Sequence, residues 1–297
     1  MQMQRIGVIG YGEVGKTFCA GLRPQVAAVS AWDLKFVAPA TQQVQRDHAQ
    51  AAGVIACDAM AQLCADADLL ISAVTASNTL AVAEQAAGHL RPGAVFLDLN
   101  SASPGTKQQC AALIKAAGGR YVEAGVMTSV PPYGIRVPML LGGPAAADLA
   151  PVLTTWGMNA TVVSDQLVVA SAIKMCRSVM IKGLEALVIE SYTTARAYGV
   201  EDRMVPTLQE TFPGIDWQQV GAYFFSRVVQ HGQRRAEEMR ESANTVREAG
   251  FEPFMTAAIA DKQQWVADQA KAGVFEGIDA KGPWQPYADR LIAQRKR

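Results

Sequence analysis

The sequence predicts an α/β protein with an N-terminal doubly wound parallel sheet, a long connecting helix and an all-helical C-terminal domain. Three observations carry this. Short apolar runs alternate with Ala- and Gln-rich helical stretches through the first half, as strands do when they run parallel with helices on both faces. A glycine-rich turn follows the first apolar run. Strand signals then stop after about Ser164 and long helical stretches take over. At 297 residues, half of them apolar, the chain can fill one large domain or two smaller ones. The change in pattern sets the expected division at 1–165 and 166–297.

The strands are expected at Arg5–Ile9, Ala27–Trp32, Gly53–Ala56, Leu69–Ala73, Val95–Leu99, Tyr121–Ala124, Pro138–Leu141 and Ala160–Val163. Ala38–Ala52 and Thr79–Leu90 read as intervening helices. Later helices run from about Gln166 to Tyr198, stopped by Gly199, and from Asp216 to Ala249, stopped by Gly250. A third covers Pro253–Ala272, and a short one lies near Tyr287.

Charge narrows the partners. Lys plus Arg equals Asp plus Glu at 27 each, and no block of like charge reaches five residues. Nucleic acid and membrane surfaces need a positive field, so neither is expected as a partner. The ending Arg295-Lys296-Arg297 reads as a tail. Cys19, Cys57, Cys64, Cys110 and Cys176 are scattered without metal spacing, so no metal site is expected. Each sits among small or apolar residues and reads as a buried free thiol, which places the protein in a reducing, cytoplasmic compartment. Ile6–Gly10 is too short for a signal peptide, and no run of about eighteen apolar residues spans a membrane.

The first apolar run leads into Gly10-Tyr11-Gly12-Glu13-Val14-Gly15, a G-x-G-x-x-G pattern, and the helical stretch Val14–Leu22 follows. The first glycine makes the turn, the second lets a pyrophosphate approach the backbone, and the third lets helix and strand pack closely. The helix N-terminus then presents N–H groups and partial positive charge to the phosphates. This is the opening of a Rossmann dinucleotide-binding domain. The second strand ends at Asp33, 18 residues past Gly15, where an acid accepts from the adenosine ribose hydroxyls. A carboxylate there repels a 2′-phosphate, so NAD is the expected cofactor. Lys35 softens that preference and admits NADP.

Further cofactor contacts are expected where later strands leave the sheet, at Val74 and Thr75 and at Asn100. Ser101 is expected on the substrate. Ser103 fits equally well as the N-cap of a helix beginning at Pro104. The exit Tyr121-Val122-Glu123-Ala124-Gly125-Val126 leads to Met127, Thr128 and Ser129, read either as a substrate loop or as a plain surface loop.

On the long helix, Met175, Val179, Met180, Leu184, Leu187 and Val188 surround most of the circumference, which predicts burial all round. Lys174, Ser178, Lys182 and Glu185 share one stripe. A buried ammonium is costly unless paired or used, and burial tunes it for acid–base work. The alternatives are a structural pair of Lys174 or Lys182 with Glu185, or a lysine stem that snorkels its charge to water. His231, Arg234 and Arg235 on a later helix either meet an anionic substrate or form a solvated face. His48 and His89 read as surface residues.

The order of these features resembles the β-hydroxyacid dehydrogenases and 6-phosphogluconate dehydrogenase: glycine loop, Asp98-Leu99-Asn100-Ser101-Ala102-Ser103-Pro104, substrate loop, then lysine on the interdomain helix. The resemblance spans about Arg5 to Gly199. Beyond it the chain looks like a branch whose helical C-terminal domain has no assigned function. It implies NAD(P)-dependent oxidation of a 3-hydroxy acid, with Lys174 as catalytic lysine and Ser101, Met127, Thr128 and Ser129 at the substrate. There are departures. Ser178 stands where the family has Asn, Met127 replaces the loop serine, and Ile181 replaces the acid that 6-phosphogluconate dehydrogenase carries seven residues past its lysine. Decarboxylation of a phosphorylated sugar acid is therefore not the expected reaction. Ser178, Lys182 and His231 are expected to meet a small anionic hydroxy acid, and a homodimer is expected. Imine reduction on the same fold and a non-catalytic dinucleotide sensor are the competing readings.

Overall fold

A computed structural model describes residues 3–294, so the basic tail Arg295-Lys296-Arg297 lies outside the described residues. The strands are β1 (Arg5–Ile9), β2 (Ala28–Trp32), β3 (Ile55–Ala56), β4 (Leu69–Ser72), β5 (Val95–Asp98), β6 (Arg120–Val126), β7 (Met139–Gly142) and β8 (Ala160–Ser164). They form one sheet in the order β3-β2-β1-β4-β5-β6-β7-β8. The chain leaves β1 toward β2 and β3, then returns to β4 on the other side of β1. That reversal opens a crevice at the carboxyl ends of β1 and β4, the place where doubly wound sheets bind ligands.

The sheet is mostly but not wholly parallel. β6 and β7 pair antiparallel, while β7 and β8 pair parallel. The cause is the connection. Between β6 and β7 the chain has only a loop with Pro131 and Pro132 and a single 3₁₀ turn, Gly134–Arg136, in place of a crossover helix. Without a crossover, the neighbouring strand must run back.

Helices α1 (Glu13–Leu22), α2 (Gln42–Ala51), α3 (Met60–Asp66), α4 (Thr79–Ala87), α5 (Pro104–Ala116) and α6 (Ala146–Thr155) fill the connections. β4 and β5 are buried at every residue, as strands covered on both faces must be. Alternate residues feed two cores: Val8 packs with Phe18, Leu22 and Val29 on one face, and Ile9 with Leu63, Leu70 and Phe96 on the other. α2 begins later than its composition predicts, because Ala38–Thr41 closes a turn first, with the Thr41 amide donating to the Ala38 carbonyl at 3.0 Å.

Helix α7 (Val169–Tyr198) follows β8, and the remaining elements are α8 (Glu201–Thr211), α9 (Trp217–Glu248), α10 (Phe254–Lys271) and α11 (Gln285–Ala293). The chain divides into two compact units, the first ending at Cys176 and the second beginning at Arg177. The core of the second unit is aromatic, with Tyr192, Phe225, Trp284 and Tyr287 all buried. Asp216 caps α9 by accepting from the Gln219 amide at 3.0 Å, and Gly199 and Gly250 adopt positive φ just past α7 and α9.

Two expectations are corrected. α7 is not buried all round: Met180 and Leu187 are 73% and 53% exposed, while Met175 and Val188 are buried. Apolar composition on every side does not secure a neighbour on every side. Cys176 on the same helix is exposed, unlike the other four thiols. Among the described residues, no helix is long and apolar enough to cross a membrane.

Candidate functional site

The turn after β1 is built by its glycines. Gly10 has φ of +94°, and a Cβ there would stand 2.5 Å from the carbonyl oxygen of Ala73, which brings the exits of β1 and β4 together. A Cβ on Gly15 would fall 1.8 Å from the carbonyl oxygen of Gly10. Gly12 differs. Nothing lies within 4 Å of its Cβ position, and no side chain caps α1 from this N-cap residue. A bare backbone beside open space at a helix N-terminus is a cradle for a phosphate, and a methyl group would partly fill it. The residues present therefore fit a dinucleotide pyrophosphate.

The other loop residues divide by backbone and side chain. The Tyr11 ring is buried, tilted against Phe36 at 5.0 Å, and its hydroxyl lies 3.0 Å from His48 Nδ1. Burial pushes that phenol up to about 12. The Tyr11 amide donates to Asp33 Oδ2 at 2.6 Å, so this N–H ties the glycine turn to the end of β2. Asp33 Oδ1 accepts from the Lys35 amide at 2.8 Å. Asp33 is thus a half-buried carboxylate with both oxygens fixed at the end of β2. Glu13 and Val14 begin α1 beside Gly12.

At the exits of β4 and β5 a buried polar network sets loop geometry. Asn100 Oδ1 accepts from the Val74 amide at 2.8 Å, and Asn100 Nδ2 donates to Ser72 Oγ at 2.9 Å. Thr75 is exposed and Ser101 half-buried just beyond. Behind Asn100 lies Asp98, fully buried, whose Oδ1 accepts from the Asn100 amide at 2.9 Å and pairs with Lys107 Nζ at 2.9 Å. Tyr121 donates its hydroxyl to Asp98 Oδ2 at 2.7 Å, and burial followed by the Asp98 charge pushes that phenol well above its ordinary range. Sequence reasoning missed Lys107 and Tyr121. The available signal was Asp98 itself, an acid ending an apolar strand, which demands a partner. Ser103 is the N-cap of α5, accepting from the Thr106 amide at 3.2 Å.

The exit of β6 brings in the lysine. A Cβ on Gly125 would lie 3.0 Å from the carbonyl oxygen of Ala170 and 3.4 Å from Lys174 Cβ. The bare strand lets the first turns of α7 settle onto β6, with Lys174 half-buried beside it. The Met127 amide donates to the Pro138 carbonyl at 2.9 Å, leaving Met127 half-buried, Thr128 exposed and Ser129 half-buried at the same edge. The first unit therefore gathers Gly10–Gly15, Asp33, Val74, Thr75, Asn100, Ser101, Met127–Ser129 and Lys174 at the carboxyl ends of its parallel strands.

Ser178, Lys182 and His231 belong to the second unit. Lys182 is buried, 2.6 Å from Glu238 and 3.2 Å from Ser178 Oγ. Glu185 pairs with Arg235 of α9 in place of the expected lysine, and Lys182 acts on it only through its charge. Burial pushes the Glu185 carboxyl up, against the pull of Arg235. Arg235 is buried, while His231 and Arg234 are half-buried, so this face of α9 is not simply solvated. Among the described residues, no group of His, Cys, Asp and Glu is arranged to hold a metal.

Comparison with known proteins bears on both units. Residues 5–164 match the NAD binding domain of 6-phosphogluconate dehydrogenase, and residues 195–266 match a domain of unknown function (DUF1932). A conserved hypothetical protein from Sinorhizobium meliloti 1021 is 39% identical, with 98% of this chain and 97% of that one covered and a TM-score of 0.76. A second conserved protein, described for its structural similarity with 3-hydroxyacid dehydrogenases, is 30% identical over 90% of this chain and 98% of its own, with a TM-score of 0.68. A 3-hydroxyisobutyrate dehydrogenase from Mycobacterium tuberculosis, solved with L-serine, shares the fold at 17% identity, with 97% and 100% covered and a TM-score of 0.72. The cofactor of the first unit is accordingly NAD(P).

Proposed function

The chain belongs to the family of the NAD binding domain of 6-phosphogluconate dehydrogenase, and from that premise we propose that it transfers hydride between NAD(P) and a hydroxy acid or related alcohol, with Lys174 as general acid and base. The observation that carries this is the approach of Lys174 to Gly125, which puts the lysine on the same sheet edge as the glycine turn. Gly12 and the N-terminus of α1 would hold the pyrophosphate, and Asp33 the adenosine ribose. A fixed carboxylate at that position repels a 2′-phosphate and favours NAD.

Bound there, the nicotinamide supplies the two-electron acceptor or donor. Lys174 Nζ, when neutral, takes the hydroxyl proton as the carbinol carbon is oxidised. As ammonium it returns that proton when a carbonyl is reduced. Ser101, Thr128 and Ser129 offer hydroxyls to the substrate carboxylate. Met127 makes the loop less polar than the family's serine would. Lys182 is already engaged by Glu238, so an anionic substrate reaches it only in exchange for that partner. The reading includes a homodimer, because Ile173, Met180 and Leu187 stand exposed in one stripe of α7 that a second copy would cover. A monomer by light scattering at micromolar concentration counts against the dimer.

The test is a panel of 3-hydroxy acids with NAD and NADP, followed at the nicotinamide absorbance, beside a panel of preformed imines with the reduced cofactors. Turnover of a hydroxy acid supports the proposal. Turnover of imines alone replaces it with imine reduction, and dinucleotide binding without any turnover replaces it with a sensor.

A further inference from the structure

Helix α7 starts from a strained backbone. Val168, the residue before it, has φ of +79°, and it is the only non-glycine residue with positive φ among the described residues. A β-branched side chain resists that region, and such a conformation persists only where its surroundings over-determine it. The surroundings include Glu123, in the middle of β6. Its side chain is fully buried, and both oxygens are engaged at the start of the helix. Oε1 accepts from the Ala170 amide at 3.0 Å, and Oε2 accepts from the Ser171 hydroxyl at 2.7 Å. The same hydroxyl lies 3.1 Å from the Val168 carbonyl, which also accepts from the Ala172 amide at 2.9 Å.

The strands leave room for this arrangement. A Cβ on Gly142 of β7 would stand 2.6 Å from Glu123 Oε1. Gly125 lies two residues along β6, on the same face as Glu123, and meets Ala170 and Lys174. One strand face therefore grips the first turn of α7 with a carboxylate and clears space for the lysine with a glycine. The helix N-terminus favours the negative charge, and a carboxylate accepting two donors is held more firmly than a neutral group.

We propose that Glu123 is a positioning residue for Lys174: its buried carboxylate anchors the first turn of α7 and so fixes the rotation and height of the lysine at the sheet edge. This rests on the reading of Lys174 as the acid and base. Lys174 sits one helical turn past Ala170, so play in that first turn passes directly to its side chain.

The test compares wild type with Glu123→Ala, Glu123→Gln and Ser171→Ala, using NADH as the binding probe. Hydrogen exchange is read over residues 169–173. Trace acetylation of Lys174 is read against the exposed Lys35 by mass spectrometry. Glu123→Ala is expected to speed exchange at least tenfold and change the Lys174-to-Lys35 labelling ratio at least threefold, with NADH affinity within twofold. Glu123→Gln, which keeps shape and one acceptor while Ser171 turns to accept from its amide, is expected to restore most of both. Should Glu123→Ala fail to fold, Ser171→Ala carries the test, with a smaller change of the same sign. Exchange and labelling within twofold of wild type in the alanine variants would overturn the proposal and leave Glu123 a buried filler. Full turnover by Lys174→Ala would instead overturn the acid–base reading alone, since anchoring is read without turnover.

Discussion

Gly12 and Gly15 are three residues apart in one turn, yet alanine at each is predicted to do opposite things. At Gly15 the added methyl would meet the Gly10 carbonyl oxygen at 1.8 Å, and a backbone atom cannot swing aside. Overpacking of this kind costs about 1–3 kcal/mol, and a backbone clash belongs at the upper end. For a chain of this size 1 kcal/mol is worth about 2–4 °C, so Gly15→Ala should lower the melting temperature by roughly 6–12 °C. At Gly12 the methyl meets nothing within 4 Å, and φ of −82° suits any residue. The lost N-cap preference and the gained chain stiffness roughly cancel, each under about 1 kcal/mol. Melting should therefore hold within about 2 °C. Dinucleotide binding should not. Moving a phosphate off one charge-assisted N–H bond costs about 1.5–3 kcal/mol, so the NADH Kd should rise roughly 10- to 100-fold. Differential scanning fluorimetry and NADH fluorescence titration read the two effects. Wild-type NADH affinity in Gly12→Ala would refute the assignment of this turn as the phosphate cradle.

Asp33→Asn keeps an acceptor for the Tyr11 or Lys35 amide but removes the charge, so the preference for NADH over NADPH should narrow; paired titrations that show an unchanged ratio dismiss Asp33 as its source. Lys107→Met strands the Asp98 carboxylate in the core beside Tyr121, which should cost about 3–5 kcal/mol in urea unfolding. A loss under about 1 kcal/mol would mean that the pair contributes nothing specific. Burial pushes the thiols of Cys19 and Cys64 up to about 12 and that of Cys57 up to about 11, from an ordinary 9.0. Their folded pKa values are raised, so this contribution to stability is fully present below pH 9 and is lost as pH rises through 11 to 12. Urea midpoints should hold up to about pH 8.5 and fall by about pH 10.5, and a flat profile contradicts it. At neutral pH iodoacetamide should label the exposed Cys176 first.

Much of the first unit is legible in its sequence because its signals are local. All eight strands fall where short apolar runs place them, and in the second unit Asp216 marks a helix start through its own side chain while Gly199 and Gly250 mark helix ends through positive φ. What escapes is what depends on distant partners. Glu123 and Ser171 are 48 residues apart, and Tyr121 and Asp98 are 23 apart, so no periodicity joins them. The turn of β7 against β6 follows from a missing crossover helix, which composition does not announce. α8 escapes because Pro206 interrupts its pattern, although the helix accommodates it. The stripe of Lys174, Ser178, Lys182 and Glu185 reads correctly as one helix face, but the partners Glu238 and Arg235 come from α9.

Hydride transfer assisted by Lys174 is tested most directly by steady-state kinetics of wild type and Lys174→Ala on the hydroxy acid that the panel identifies, with NADH affinity measured in parallel. Loss of a positioned general base costs about 10²- to 10⁴-fold. The predicted result is a fall in kcat of that size with the NADH Kd within twofold of wild type. Undiminished kcat in Lys174→Ala would contradict the assignment.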